Sequence, residues 1–336
     1  MDSLAVLAAN FGRILYFIIL PIFLLAGTGF VLQRKLGLDM PTLGRLNFHY
    51  AIPALIYCSV VGAQVDGAQI ANVIVFNAFL IGVMTFVGLG VWRVTGAAKD
   101  LRNAVILAAI LYNAGNVGLP LQELAFRAAG LSEQAMSLQA FAVVTQNLTT
   151  FTFGVFLASG GGGQGGLRRL LRDIARFPPI YALSAGIVTV LIRRWLGQAA
   201  PAAAQAVQPF WQAIVYAKNA VIPVALVTLG AQLGLVRVHG HGGPVGVCVS
   251  MRLLLAPAIS VGLLWLLGIR GFTAQVLFIG AAGPTAVNAM LMCLQFKNHP
   301  EFMSRVVFWA TLLSPATLTV VIYVAQSGLI PILAAP

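Results

Sequence analysis

The sequence predicts an all-α integral membrane protein of ten transmembrane helices, arranged as two inverted five-helix repeats. Three observations predict it. Of 336 residues, 60% are hydrophobic and 8% charged, with a mean hydropathy of +0.93, whereas soluble domains carry about 25% charged residues. Apolar runs near the roughly 20 residues that a span requires recur along the whole chain. The two halves also echo one another: "AIPALI" at 51–56 returns as "VIPVAL" at 221–226, with Pro53 and Pro223 separated by 170 residues. The same offset carries Ala114 onto Pro284.

In chain order the spans fall at 12–33, 43–63, 70–94, 102–128, 134–158, 178–196, 209–235, 244–268, 272–296 and 301–326. The first run lacks a basic leader and a small-residue cleavage site, so it reads as an uncleaved span. The second and seventh share a further echo, "VGAQ" at 61–64 and "LGAQ" at 229–232, two residues out of register. The fourth and ninth are interrupted in their middles. Five is odd, so the second set starts on the opposite membrane face from the first. The repeats cover 10–158 and 178–327. Between them, 159–177 is a glycine-rich and then basic cytoplasmic linker. It reads as a tether with orientation-setting charges, a lipid-surface helix being the alternative.

The net charge of +12 is scattered between apolar runs rather than gathered on a face, which argues against nucleic acid. Fourteen of the twenty Lys and Arg residues fall on one side, five on the other, and Lys218 inside a span. Under the positive-inside rule the first side is cytoplasmic and both termini lie outside. Cys58, Cys248 and Cys293 sit in apolar runs as packing residues, with no disulfide framework or metal site indicated. No cofactor is expected. Nor is an enzyme, since no nucleophile, metal triad or acid–base pair stands in a coherent setting.

The interruptions carry the functional signal. A helix broken at mid-membrane exposes N–H groups at the start of its second half and carbonyls at the end of its first, with about half a charge of each sign from the dipole. In "YNAGNVGLP" at 112–120, Gly115 and Gly118 permit unusual backbone and close approach. Pro120 suits the first turn of the resuming helix, and Asn113 and Asn116 offer donors and acceptors. In "AAGPTAVNAM", Gly283, Pro284, Thr285 and Asn288 supply the same chemistry. Such segments at equivalent positions of inverted halves mark the substrate site of a secondary transporter.

The stretch "ILYNAGNVGLPL", the Gly-Pro-Thr-Ala-Val-Asn segment, "MRLLLAP" at 251–257 and "TLLSPATLTV" at 311–320 together resemble the auxin efflux carrier family. The resemblance runs the whole chain in order, and the short central loop is like that of bacterial members. It implies a bile acid symporter-like superfold with crossed fourth and ninth helices. It also implies a homodimer, a location in the bacterial inner membrane, and elevator motion of a transport domain against a scaffold of spans 1, 2, 6 and 7. Asn113 and Pro120 match the family's fourth helix and Pro284 its ninth. Gln146 and Asn147 in "VVTQNLTTF" resemble a polar pair that helps bind a substrate carboxylate. Gly283 directly before the proline departs from the pattern, and the long regulatory loop of plant members is missing.

Other polar residues have two readings each. Lys218 snorkels to the headgroups, or draws an anion or exchanges a proton. His49 is a neutral interfacial histidine or a proton-coupling group. Glu123 is a first-turn acid or a proton-linked carboxylate. Arg252 anchors lipid phosphates or pairs with a substrate carboxylate. His239 and His241 read as loop residues. The eight acids avoid mid-span positions, which argues against a cation exchanger and for an anion or neutral solute. The expected function is export or exchange of a small organic carboxylate, with H+ or Na+ as candidate coupling ions. The alternatives are a sodium-coupled symporter of larger acids and a receptor or scaffold that binds without transport.

Overall fold

The computed structural model describes residues 2–62, 65–160, 178–196, 205–236 and 243–334. The basic linker beyond residue 160, His239 and His241 lie outside the described residues, as do Ala63 and Gln64 of the short echo. Regular structure among the described residues is helical. It comprises α1 (Val6–Leu36), α2 (Met40–Leu46, Asn47–Ala51 and Ile52–Val61 in one rod), α3 (Gly67–Val94), α4 (Arg102–Ile110) and α5 (Leu119–Arg127). Then follow α6 (Ser132–Ala158), α7 (Pro178–Leu196), α8 (Gln208–Leu235), α9 (Gly243–Leu266), α10 (Gly271–Ala281), α11 (Val287–Gln295) and α12 (Pro300–Gln326). Seven of these, α1, α3, α6, α7, α8, α9 and α12, are each long and apolar enough to cross a membrane. Phe86, Trp195, Phe210 and Trp265 stand exposed, an apolar coat suited to lipid as solvent.

Prolines shape the rods. Among the described residues, a helix widens by one residue just ahead of a proline in four places: Leu15–Ile19 before Pro21, Asn47–Ala51 before Pro53, Ala114–Gly118 before Pro120, and Met251–Leu255 before Pro257. A helical proline collides with the carbonyl four residues back and offers it no N–H. Those carbonyls, of Phe17, His49, Asn116 and Leu253, all lie in the widened turns, which relieve the clash. The wide turn Thr150–Gly154 in α6 has no proline; there the hydroxyls of Thr149, Thr150 and Thr152 bond back to carbonyls three to four residues earlier.

Small residues set the closest packing. Gly29 of α1 lies against the Val227 backbone and Gly230 of α8 against that of Ala26, so a Cβ at either would overlap a main-chain carbonyl. Lipid gives helices no hydrophobic drive to associate, and close backbone approach supplies contact instead. α2 packs on α7, where Gly186 meets Val60. Thus α1, α2, α7 and α8 pack on one another, while α3–α6 and α9–α12 gather around two helix breaks. One end of the bundle carries the ion pair His299–Asp100 at 3.2 Å. The other carries Arg127–Glu123 and Lys218–Glu133.

Candidate binding site at the helix breaks

α4 stops at Ile110 because Leu111 turns extended (φ −95°, ψ 96°), and the chain resumes helically from Ala114. α10 stops at Ala281, and α11 begins after Ala286 (φ −69°, ψ 142°). The break in the fourth span therefore falls at 111–113, ahead of both glycines and Pro120. The two breaks run antiparallel, joined at Tyr112 and Thr285. The Asn113 N–H donates to the Pro284 carbonyl and the Ala286 N–H to that of Leu111, each at 2.8 Å. Groups that either break alone would leave bare in hydrocarbon thus satisfy one another.

The remaining carbonyls at the end of α4 are also taken. Thr285 Oγ1 donates to Ala108 at 3.2 Å, and Gln146 Nε2 to Ile110 at 3.0 Å. Arg252 takes Ala109 and crosses to the end of α10: Nη1 donates to Ala109 and Nε to Gly283, each at 3.0 Å, and Nη2 to Ala281. Arg252 is 0% exposed, held over the Tyr112 ring at 5.3 Å from its centroid. This corrects both sequence readings of this residue, the lipid anchor and the substrate pair, and its count among the cytoplasmic loop charges. It lies nine residues into its own predicted span, in the turn widened by Pro257, and that position was the overlooked signal. Nor is Lys218 the sole cation within a span.

The opposite ends of the breaks face a cavity of about 430 Å³. Asn113, Gly115, Asn116, Gln146, Asn147, Asn288 and His49 line it, with Arg45. Asn113 caps the resuming helix, its Oδ1 accepting the Asn116 N–H at 3.0 Å. Its Nδ2 is therefore turned away from that bond, and it is buried without a partner. α11 starts with no side-chain cap, which leaves its first N–H groups for a ligand. Asn47 Oδ1, Gln146 Oε1, Gln232 Oε1 and the Thr228 hydroxyl, all in the lining, are also buried without partners, the first three as acceptors. Buried polar groups are nearly always paired, so this concentration marks a site built for a polar guest.

Other expected residues lie elsewhere. Pro120 is buried in the first turn of α5, and Gly283, Pro284 and Thr285 form the back of the crossing rather than the cavity wall. Gly118 is a packing position, since a Cβ there would run into the Gln139 amide. Glu123 and Lys218 border a separate cavity of about 720 Å³ between α1, α5, α6 and α8. Each has a partner: Glu123 accepts from Arg127 Nε at 2.8 Å, and Lys218 of α8 pairs with Glu133 of α6. Sequence reading missed Asn47, Thr228 and Gln232 as site residues; they sit on α2 and α8, and Gln232 was noted only as the end of the LGAQ echo. It also missed Gln139, which donates to the Ala114 carbonyl at 2.8 Å and accepts from Gln122.

Comparison with known proteins agrees with the resemblance read from the sequence. Residues 166–322 match the family described as membrane transport protein. The chain is 26% identical over 307 residues to an "Uncharacterized transporter" of Methanothermobacter thermautotrophicus, covering 89% of this chain and 95% of that one. It is 27% identical over 327 residues to a "Putative malonate transporter" of Rhizobium meliloti, covering 94% and 97%. An "Uncharacterized transporter" of Methanocaldococcus jannaschii is 22% identical over 278 residues, covering 81% and 85%.

Proposed function

Given its kinship with the auxin efflux carrier-like family of membrane transport proteins, we propose that the chain is a secondary active transporter moving a small organic carboxylate across the cell membrane. The observation that carries this reading is the polarity of the breaks. Their helix N-termini, Ala114–Asn116 and Ala286–Asn288, line the cavity, while the carbonyl ends of α4 and α10 turn away toward Arg252. Each N-terminus contributes about half a positive charge, and the unpartnered Asn113 Nδ2 adds a donor. Among the described residues, the lining holds Arg45 and His49 and no carboxylate. An anion is the guest that these donors would satisfy, and a hydroxyl or protonated carboxyl on the same guest would meet the unpartnered oxygens of Asn47, Gln146 and Gln232.

In this reading Asn113, Gln146, Asn147 and Asn288 hold the carboxylate, with Asn116 beside them and Thr228 and Gln232 facing from α8. Gly115, Pro120, Gly283, Pro284 and Thr285 shape the crossing. The rod α2 and the two half-broken rods, α4 with α5 and α10 with α11, bring the spans to ten, in inverted repeats at 10–158 and 178–327. The breaks and their surrounding helices move as an elevator against α1, α2, α7 and α8, carrying the cavity from one face to the other. The protein works as a homodimer in the bacterial inner membrane, with its termini outside.

The test is thermal unfolding of the detergent-purified protein with malonate and other mono-, di- and aromatic carboxylates, followed by counterflow in liposomes. A carboxylate at about 100 times its dissociation constant adds near 2.7 kcal/mol of stability. Stabilisation together with counterflow is the expected result. Stabilisation without counterflow would make the protein a receptor, and indifference to every acid would exclude the carboxylate reading.

A further inference from the structure

We infer that Arg252 is a built-in counter-cation, occupying the carbonyl cluster that a coupling sodium ion would need, so that the crossing operates without sodium. In carriers with broken helices, unwound carbonyls and half-helix C-termini are where sodium is coordinated. Here the two C-terminal ends, each carrying about half a negative charge, meet one guanidinium. Its three bonds reach both helices: Ala109 on the α4 side, Ala281 and Gly283 on the α10 side. The other carbonyls from Ala108 to Leu111 and that of Pro284 are occupied by protein donors. The planar five-donor fork suits this task, because it serves several carbonyls at once and keeps its charge when buried.

The charge also goes unmatched by any acid. Among the described residues, the ion pairs involve Arg127, Lys218, His299 and Arg305, and none involves Arg252. Its compensation comes from carbonyl dipoles and the face of Tyr112. Tyr112 is also one of the residues that line the binding cavity, so a single residue separates the fixed cation from the guest. The inference takes the carrier reading above as its frame. Arg252 is a positioning residue: it reaches an anion through Tyr112 and the helix ends, without touching it.

The experiment compares the wild type, Arg252→Lys and Arg252→Gln, with no organic acid present, so that its result stands apart from the carboxylate reading. Unfolding midpoints are measured in sodium chloride and in choline chloride at equal ionic strength, alongside binding of radioactive sodium. The wild type and Arg252→Lys should show the same midpoint in both salts and no saturable sodium binding. Arg252→Gln removes the cation and its fork of donors while keeping a shorter polar side chain, and should gain saturable sodium binding with a sodium-specific rise in midpoint. Saturable sodium binding by the wild type would overturn the inference, as would a folded Arg252→Gln that stays indifferent to sodium. Should the Gln variant not fold, the wild type and Lys variant decide: indifference in both supports a resident cation, and sodium binding by either rejects it.

Discussion

Asn113 is where capping and binding can be pulled apart. Its Oδ1 accepts the Asn116 N–H and starts the resuming helix, while its Nδ2 stands unpartnered at the cavity. Asn113→Ala removes both functions. Loss of a cap costs about 1 kcal/mol of stability, and loss of a hydrogen bond to a charged ligand about 1.5–3 kcal/mol of binding. The latter is a rise in Kd of roughly tenfold to a hundredfold. Asn113→Asp separates the two, since Asp caps a helix as well as Asn does and its charge is favoured at a helix N-terminus by about 0.3–1 kcal/mol. It also puts an acceptor where the donor stood. The Asp variant keeps the cap and should unfold above the Ala variant, with desolvation of its buried carboxylate setting it against the wild type, yet bind malonate at least as weakly as the Ala variant. Midpoints measured across a malonate titration read both quantities. Wild-type affinity in the Asp variant, or equal destabilisation by Asp and Ala, would refute the division of labour between the two atoms.

Three further outcomes are expected. Gly230→Ala forces a Cβ onto the Ala26 backbone and should destabilise the protein by about 1–3 kcal/mol or more, read as a lowered midpoint; an unchanged midpoint would mean that α1 and α8 separate freely. Gln139→Leu strips the Ala114 carbonyl of its donor and should cost about 1–3 kcal/mol, whereas Gln139→Glu, which keeps the shape, should still lose that bond. Lys218→Gln breaks the tie between α8 and α6. A membrane-impermeant maleimide should then label Met136→Cys, in the wall of the cavity beside that pair, faster than it labels the same cysteine with Lys218 intact. Equal labelling rates would assign the ion pair no role in holding that side closed.

Hydropathy and punctuation made much of the architecture legible before any coordinates. The apolar runs located the helices, and the Asn, Gly and Pro cluster at 112–120 located the first break to within a few residues. The break sits ahead of Pro120 because the widened turn Ala114–Gly118 absorbs the proline clash inside a continuing helix. The pairing of the breaks, Asn113 with Pro284 and Ala286 with Leu111, joins residues far apart in sequence, and no local pattern encodes it. Arg252 was misread for a related reason. A charge near a predicted span end defaults to a headgroup partner, and only the assembled crossing reveals carbonyls able to hold it. Asn47, Thr228 and Gln232 went unread as site residues: Thr228 is a lone polar side chain in an apolar run, Asn47 stands between Arg45 and His49, and Gln232 ends an echo that signalled the repeat, each significant through the cavity it faces.

The two backbone bonds between the breaks also bear on how the protein is made. Leu111 and Ala286 are 175 positions apart, which at about 5–20 residues per second is roughly ten to thirty seconds of synthesis. Throughout that interval the Leu111 carbonyl and the Asn113 N–H have none of the partners they will finally hold. A lone segment in hydrocarbon satisfies such groups only by closing into an unbroken helix. The gap in the first repeat is therefore completed by the arrival of the second, and the ribosome's order of work makes one half of the chain the finishing tool for the other.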